Sequence, residues 1–230
     1  WSREQLLFLM SHDPDGFNRW DAGQRLAVDV IQSLVNAPDD AEIDPRLVEA
    51  YRKLISDADL DQALVAKMLQ LPSEAYLIEL TDKADVPAIH RAREAVLRHL
   101  AGALKGELLG CYQRHQGSGP YEVTPEAIAR RSLRNTALAW LLMIDDEEGR
   151  SLAVSQLNAA DNMTDRMGAL RALVNSGFES DRQEALDDFY DRFQDDPQVV
   201  EQWFSVQAAS DQAGQLSDIH KLLEHPAFDW

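Results

Sequence analysis

The chain has 230 residues, 45% hydrophobic and 27% charged, ordinary proportions for a globular protein with ample core. Its net charge of −18 excludes nucleic acid and anionic membrane surfaces as expected partners, because both call for clustered Lys and Arg; it serves either solubility or an acidic funnel for cationic substrates. The single cysteine, Cys111, excludes an internal disulfide and suits a reducing compartment, and no apolar run approaches the roughly 18 residues of a membrane span.

The chain opens at Trp1-Ser2-Arg3-Glu4, with neither an initiating Met nor a basic n-region. No signal peptide is expected, the expected location is cytoplasmic, and the chain reads as a piece of something longer. Ser2 with Gln5 three positions on forms a capping-box start, and Leu6, Leu7 and Met10 supply a short apolar face. Asp13-Pro14-Asp15-Gly16 breaks it. The stretch Phe17-Asn18-Arg19-Trp20-Asp21-Ala22 reads as a bend where two layers meet, followed by a helix from about Trp20 to Val35 that ends at Asn36-Ala37-Pro38-Asp39-Asp40.

Asp44-Pro45 predicts a capped helix start, with Leu47, Val48, Tyr51, Leu54 and Ile55 at helical spacing. Asp59 with Gln62 predicts the next start, and a short helical turn spans about Glu74 to Leu80. From Pro87 to about His115 runs the longest periodic segment, and Gly102 and Gly106 inside it suggest close approach by a neighbouring helix. Gln116 to Pro120 is a loop, after which Thr124-Pro125 repeats the cap-plus-Pro signal and opens a helix through Leu142. Asp145-Asp146-Glu147-Glu148 falls at a helix start, where carboxylates favour the positive end of the macrodipole. Further helical patterns run from Leu152 to Leu157, Met163 to Val174, Gln183 to Phe193, Val199 to Ala209 and Leu216 to Leu223. Strand signals are close to absent. The predicted fold is all-α, about a dozen helices in a single domain over 1–230, as an irregular α-solenoid of HEAT or armadillo-like helix pairs.

Chemistry-bearing patterns are scarce. The six histidines include no pair at the i, i+4 spacing of a zincin helix, so neither a catalytic residue nor a metal site is expected in this chain. Asp57-Ala58-Asp59-Leu60-Asp61 imitates an EF-hand opening, but Gln62 and Met68 stand where calcium needs Gly and Glu. Cys111 has His115 one turn on, as a thiolate–imidazole pair would, without an orienting carboxylate or oxyanion hole; a small core residue is the plainer reading. Arg19, Arg134, Asn135, Asn162 and Asp165 remain, in polar clusters set among apolar residues, as in Arg130-Arg131-Ser132-Leu133-Arg134-Asn135. They read either as a hydrogen-bond network holding helix ends together or as a polar wall facing a ligand cavity.

These clusters carry a resemblance. Gln5-Leu6-Leu7-Phe8-Leu9-Met10, Phe17 to Ala22, Thr124 to Ala137, Asn162-Met163-Thr164-Asp165 and Gln202-Trp203-Phe204 with Gln207-Ala208 resemble, in order, the C-terminal helical domain of bacterial aminopeptidase N. The resemblance implies a parent zinc metallopeptidase (a gluzincin) that releases N-terminal residues from peptides. In that family a thermolysin-like domain carries His-Glu-x-x-His and Gly-x-Met-Glu-Asn, a β-rich domain follows, and the helical domain caps the active-site cavity. This sequence has neither motif and stops before the family's Asn-Pro-Asn-Arg stretch. Zinc is therefore expected in the parent only, and the chain alone is expected to be inert as a peptidase. The implied partners are the catalytic and β-rich domains of the same polypeptide and the peptide substrates of the parent. Candidate cavity-wall residues are Arg19, Arg134, Asn135 and Asn162. Truncation of the solenoid suggests exposed apolar surface near Leu216 to Leu223 and Trp230, with self-association through that end. The alternative is a free-standing α-solenoid adaptor that binds a peptide or protein partner.

Overall fold

The computed structural model describes residues 1–37, 42–117, 119, 121–210, 212 and 215–228. Among them there are thirteen helices and no strand: α1 (Arg3–His12), α2 (Gly16–Asn36), α3 (Pro45–Ser56), α4 (Gln62–Met68), α5 (Glu74–Glu79), α6 (Val86–Ala103), α7 (Lys105–Arg114), α8 (Pro125–Leu142), α9 (Glu147–Ala159), α10 (Met163–Val174), α11 (Glu179–Phe193), α12 (Pro197–Ala208) and α13 (Gln215–Leu223). The Pro38-Asp39-Asp40 helix end, Ser118 and Pro120 of the predicted loop, and Trp230 lie outside the described residues.

The local reasons for these helices are mostly caps. Ser2 and Gln5 form the reciprocal capping box of α1, while Asp44 caps α3 ahead of a proline at its first position. Asp146, Asn162 and Asp196 accept backbone N–H groups at the starts of α9, α10 and α12.

Four expectations need correction. Phe17 to Ala22 is no bend: the cap of α2 is Asp15, whose side chain accepts from the amides of Phe17 and Asn18, so the aromatic stretch is already helix. Asp21 points along the helix surface to Arg25, one turn on, at 2.8 Å. The cap of α4 is likewise Asp61 rather than Asp59. The long periodic segment is two helices, broken at Leu104 (φ −113°, ψ 11°), which is itself fully buried. Nor do Gly102 and Gly106 mark a close approach, since a Cβ at either would meet nothing within 4 Å. Close approach occurs instead at Gly149, where a Cβ would sit 2.9 Å from that of Leu141.

The chain divides into two compact units, Trp1–Trp140 and Leu141–Trp230. In the first, α2 packs against α1, α4 and α6, and α3 against α1, α6 and α7. Its core is Met10, Leu26, Ile31, Leu47, Tyr51, Leu54, Leu100, Leu104, Leu108 and Leu138, all essentially sealed from solvent. Each such side chain contributes about 1.5–3 kcal/mol of burial. Trp140 of α8 reaches the ring of Tyr51 at 5.9 Å between centroids. In the second unit each helix packs against its successor from α9 to α13, and α9 and α10 also reach the helix after next. The core there is Ala153, Ala169, Leu170, Leu173, Phe189 and Trp203, the indole donating to the Leu186 carbonyl at 2.9 Å. On α13, Leu222 is buried, whereas Leu216 is 70% and Leu223 41% exposed.

Candidate functional site

Arg19 lies in the first turn of α2, and its Nε donates to the Met10 carbonyl at 2.9 Å. Met10 is in the last turn of α1, so this arginine ties the end of one helix to the start of the next. In the second unit Asn162 caps the start of α10. Its Oδ1 accepts the Asp165 amide at 2.9 Å and its Nδ2 donates to the Asp165 carboxylate at 2.8 Å. Asp165 is buried, and its backbone carbonyl accepts from Gln156 Nε2 at 2.8 Å. Arg166 then turns back to the closing carbonyls of α9, those of Leu157 and Ala160. Burial, and then the nearby charge of Arg192, hold the Arg166 guanidinium below the ordinary arginine range.

Arg134 and Asn135 are neighbours on α8, both half-buried. The Arg134 guanidinium lies over the Tyr112 ring of α7 at 6.0 Å. One turn earlier, Arg131 stacks on Tyr121 at 4.7 Å and is only 6% exposed. The Nε atoms of Arg130 and Arg131 are enclosed without a hydrogen-bond partner. Thus Arg19, Arg134 and Asn135 belong to the first unit and Asn162 to the second, with Arg19 and Asn162 engaged in helix-end bonds. Sequence reading passed over Arg131 as a site residue; the signal available was an Arg-Arg pair six residues into a helix that follows a tyrosine.

The remaining titratable groups offer little chemistry. Cys111 is fully buried, and burial pushes its thiol up to about 11. Its Sγ is 3.7 Å from His115 Nδ1, but that nitrogen lies 2.7 Å from the Cys111 carbonyl oxygen, a partner available only to a protonated Nδ1. A ring nitrogen so used is no base for the thiol. His90 lies between Glu74 at 2.8 Å and Glu94 at 3.8 Å, a surface cluster of one imidazole and two carboxylates. Among the described residues no group of three or more His, Cys, Asp or Glu could hold a metal ion, so the donor set does not fit zinc. None of the described helices is long and apolar enough to cross a membrane.

Broad grooves among the described residues include the following. One, of about 670 Å³, lies among α2, α4 and α5 and is lined by Trp20, Asp21, Lys67, Pro72 and Tyr76 among others. The other, of about 970 Å³, lies among α11, α12 and α13, floored by Tyr190, Trp203 and His225 and rimmed by Asp187, Asp191 and Asp218.

Residues 3–230 match the family described as a domain of unknown function (DUF3458_C) with ARM repeats. The chain is 36% identical, over 99% of its length, to Aminopeptidase N of Escherichia coli (strain K12), of which it covers 26%. It is 32% identical to Aminopeptidase N of Caulobacter vibrioides over 96% of its length, again covering 26% of that protein. Among solved structures, the crystal structure of Legionella pneumophila aminopeptidase A in complex with aspartic acid superposes with a TM-score of 0.87 at 29% identity, covering all of this chain and 28% of that one. The chain thus spans about a quarter of the relatives it matches, with the helical repeats that their shared family describes. By this full-length match it belongs to the DUF3458_C ARM-repeat family and corresponds to the C-terminal helical region of aminopeptidase N proteins.

Proposed function

We propose that this chain is the non-catalytic helical domain of a zinc aminopeptidase, acting in the cytoplasm as a cap that restricts peptide entry to an active site carried elsewhere in the same polypeptide. The observation that carries the reading is one of proportion. Relatives named as aminopeptidases align along almost the whole of this chain, yet the chain accounts for about a quarter of each.

In this reading the chain is a single working domain whose partners are the catalytic and β-rich domains of its own polypeptide and the peptides that polypeptide trims. A helical wall over the cavity limits which substrates enter and keeps bulk water from the reacting bond. Arg19, Arg134, Asn135 and Asn162 are the proposed cavity-wall residues. The exposed Leu216 and Leu223 on α13 are the proposed self-association surface of the isolated chain.

The test joins this chain to the peptidase portion of its own reading frame and compares alanyl p-nitroanilide with a ten-residue peptide. Arg134→Ala with Asn135→Ala should leave kcat/KM for the anilide within two-fold and change that for the peptide at least five-fold. The isolated chain should hydrolyse neither, with or without zinc. Chelator-sensitive turnover by the isolated chain, or equal effects of the paired substitution on both substrates, would overturn the reading. An upstream frame encoding His-Glu-x-x-His separates it from the adaptor alternative.

A further inference from the structure

Arg131 is a charged side chain withdrawn from water without a charged partner. It is 94% buried, and among the described residues it makes neither a hydrogen bond nor an ion pair. Glu122 and Glu126, the carboxylates nearest in sequence, are both exposed and do not reach it. Shortage of acid is not the cause, since the chain carries 40 Asp and Glu against 22 Lys and Arg. Uncompensated burial of a guanidinium is costly, and the Tyr121 ring at 4.7 Å offsets only part of that cost.

The residue before Arg131 on α8 is a second arginine. Arg130, its neighbour, also has an enclosed Nε without a partner, and Arg134 follows on the next turn of α8. Nε of Arg131 is enclosed and Tyr121 lies against the guanidinium plane, so the edge left to an incoming acceptor is the pair of terminal nitrogens. That edge matches a carboxylate in bidentate fashion.

We propose that Arg131, held on Tyr121 and supported by Arg130, is a binding site for a peptide carboxylate, either an Asp or Glu side chain or a chain terminus. The site does not depend on the peptidase reading, because binding is read on this chain alone.

The experiment follows the Arg131 Nε–Hε cross-peak in ¹⁵N NMR spectra at fixed ionic strength, assigned by its loss in Arg131→Lys. Three probes are titrated: N-acetyl-Glu-Glu-amide, N-acetyl-Gln-Gln with a free C-terminal carboxylate, and the neutral N-acetyl-Gln-Gln-amide. A saturable shift is expected with at least one charged peptide and none with the neutral one. Which charged peptide saturates tells a side-chain carboxylate from a chain end. Arg131→Lys, which keeps the charge but loses the fork, should weaken binding at least ten-fold, followed by the backbone amides of α8. No saturable shift with either charged peptide, or an equal shift with the neutral one, would leave Arg131 a stacked and hydrated arginine and overturn the proposal. Undiminished binding in Arg131→Lys would also do so. If that variant does not fold, the comparison of charged and neutral peptides on the unaltered chain still decides.

Discussion

Cys111 offers the sharpest check on whether this chain holds reactive machinery of its own. Its thiol is raised from an ordinary 9.0 to about 11, with burial the main cause and the charge of Arg114 opposing it. Two pH units mean about 100-fold less thiolate at any pH well below both values, and thiolate is the species that attacks. Steric enclosure multiplies this, because Cys111 is 0% exposed and reagent must wait for α7 to open. Alkylation by iodoacetamide at pH 7 is therefore expected to run at least about 100-fold slower in the folded chain than in the same chain in concentrated urea. His115→Ala should change the folded rate by less than three-fold, since the His115 ring is committed to the Cys111 carbonyl. A nucleophile activated by that histidine would behave in the opposite way. It would label within ten-fold of the unfolded rate at pH 7, with a plateau near neutrality that His115→Ala abolishes. That result would refute both the burial argument and the assignment of all bond-breaking chemistry to other parts of the parent.

Other outcomes follow from particular contacts. Gly102→Ala and Gly106→Ala should each stabilise the chain by about 0.5–1 kcal/mol in urea denaturation, because each glycine is helical and a Cβ there meets nothing within 4 Å. Asp145→Ala should cost about 1–2 kcal/mol in the same assay; Asp145 has φ 51° and its Oδ1 accepts the Gly177 amide at 2.7 Å, so alanine loses the bond and suits the backbone less well. Asp145→Asn, which tolerates that backbone and keeps an acceptor, should stay within about 0.5 kcal/mol. Asp44 has its carboxyl pulled below the ordinary 3.8, chiefly by side-chain hydrogen bonding from Arg46. The folded value being the lower one, its stabilisation is fully present above the ordinary value and is lost as pH falls through the folded one. Asp44→Ala should cost about 1 kcal/mol at pH 7, and the difference from the unaltered chain should shrink below pH 4 in thermal melts.

Helix starts were legible because a cap is local. Ser2 with Gln5, Asp44-Pro45, Thr124-Pro125 and Asp146 each reach an amide two or three residues on, so four consecutive residues contain the whole interaction. Where two carboxylates compete, locality is not enough. Asp15 and Asp21 both precede apolar runs, and Asp59 and Asp61 sit two apart; the choice depends on which backbone turns first. The bulk of Phe17 and Trp20 misled for a related reason. Large aromatics suggest a packed junction, yet Phe17 is 68% exposed and its ring meets Trp20 along the helix surface. The break at Leu104 has no proline and no cap, and the glycines on either side of it looked like packing contacts. Whether a missing Cβ faces a neighbour or open space is a property of helix placement that no spacing encodes.

The site residues divide along the same line. Asn162 reads as a cap from its own segment, and the structure makes it one. Arg131 could not be told from Arg130 or Arg134 in sequence, because its burial depends on a tyrosine beyond the helix start and on how α8 lies. The acidic excess, by contrast, acquires a local cause. Asp15, Asp44, Asp61, Asp85, Asp146 and Asp196 each cap a helix start with a carboxylate on backbone N–H groups. A fold built from thirteen short helices among its described residues has many such starts to satisfy, and aspartate satisfies them well. Six of the charges behind the net −18 therefore have structural employment before any substrate steering is invoked. These carboxylates are fixed at helix ends, and none of them reaches Arg131. Arg131, by contrast, is 6% exposed with an enclosed, unpartnered Nε, and the carboxylate proposed for it is a ligand's.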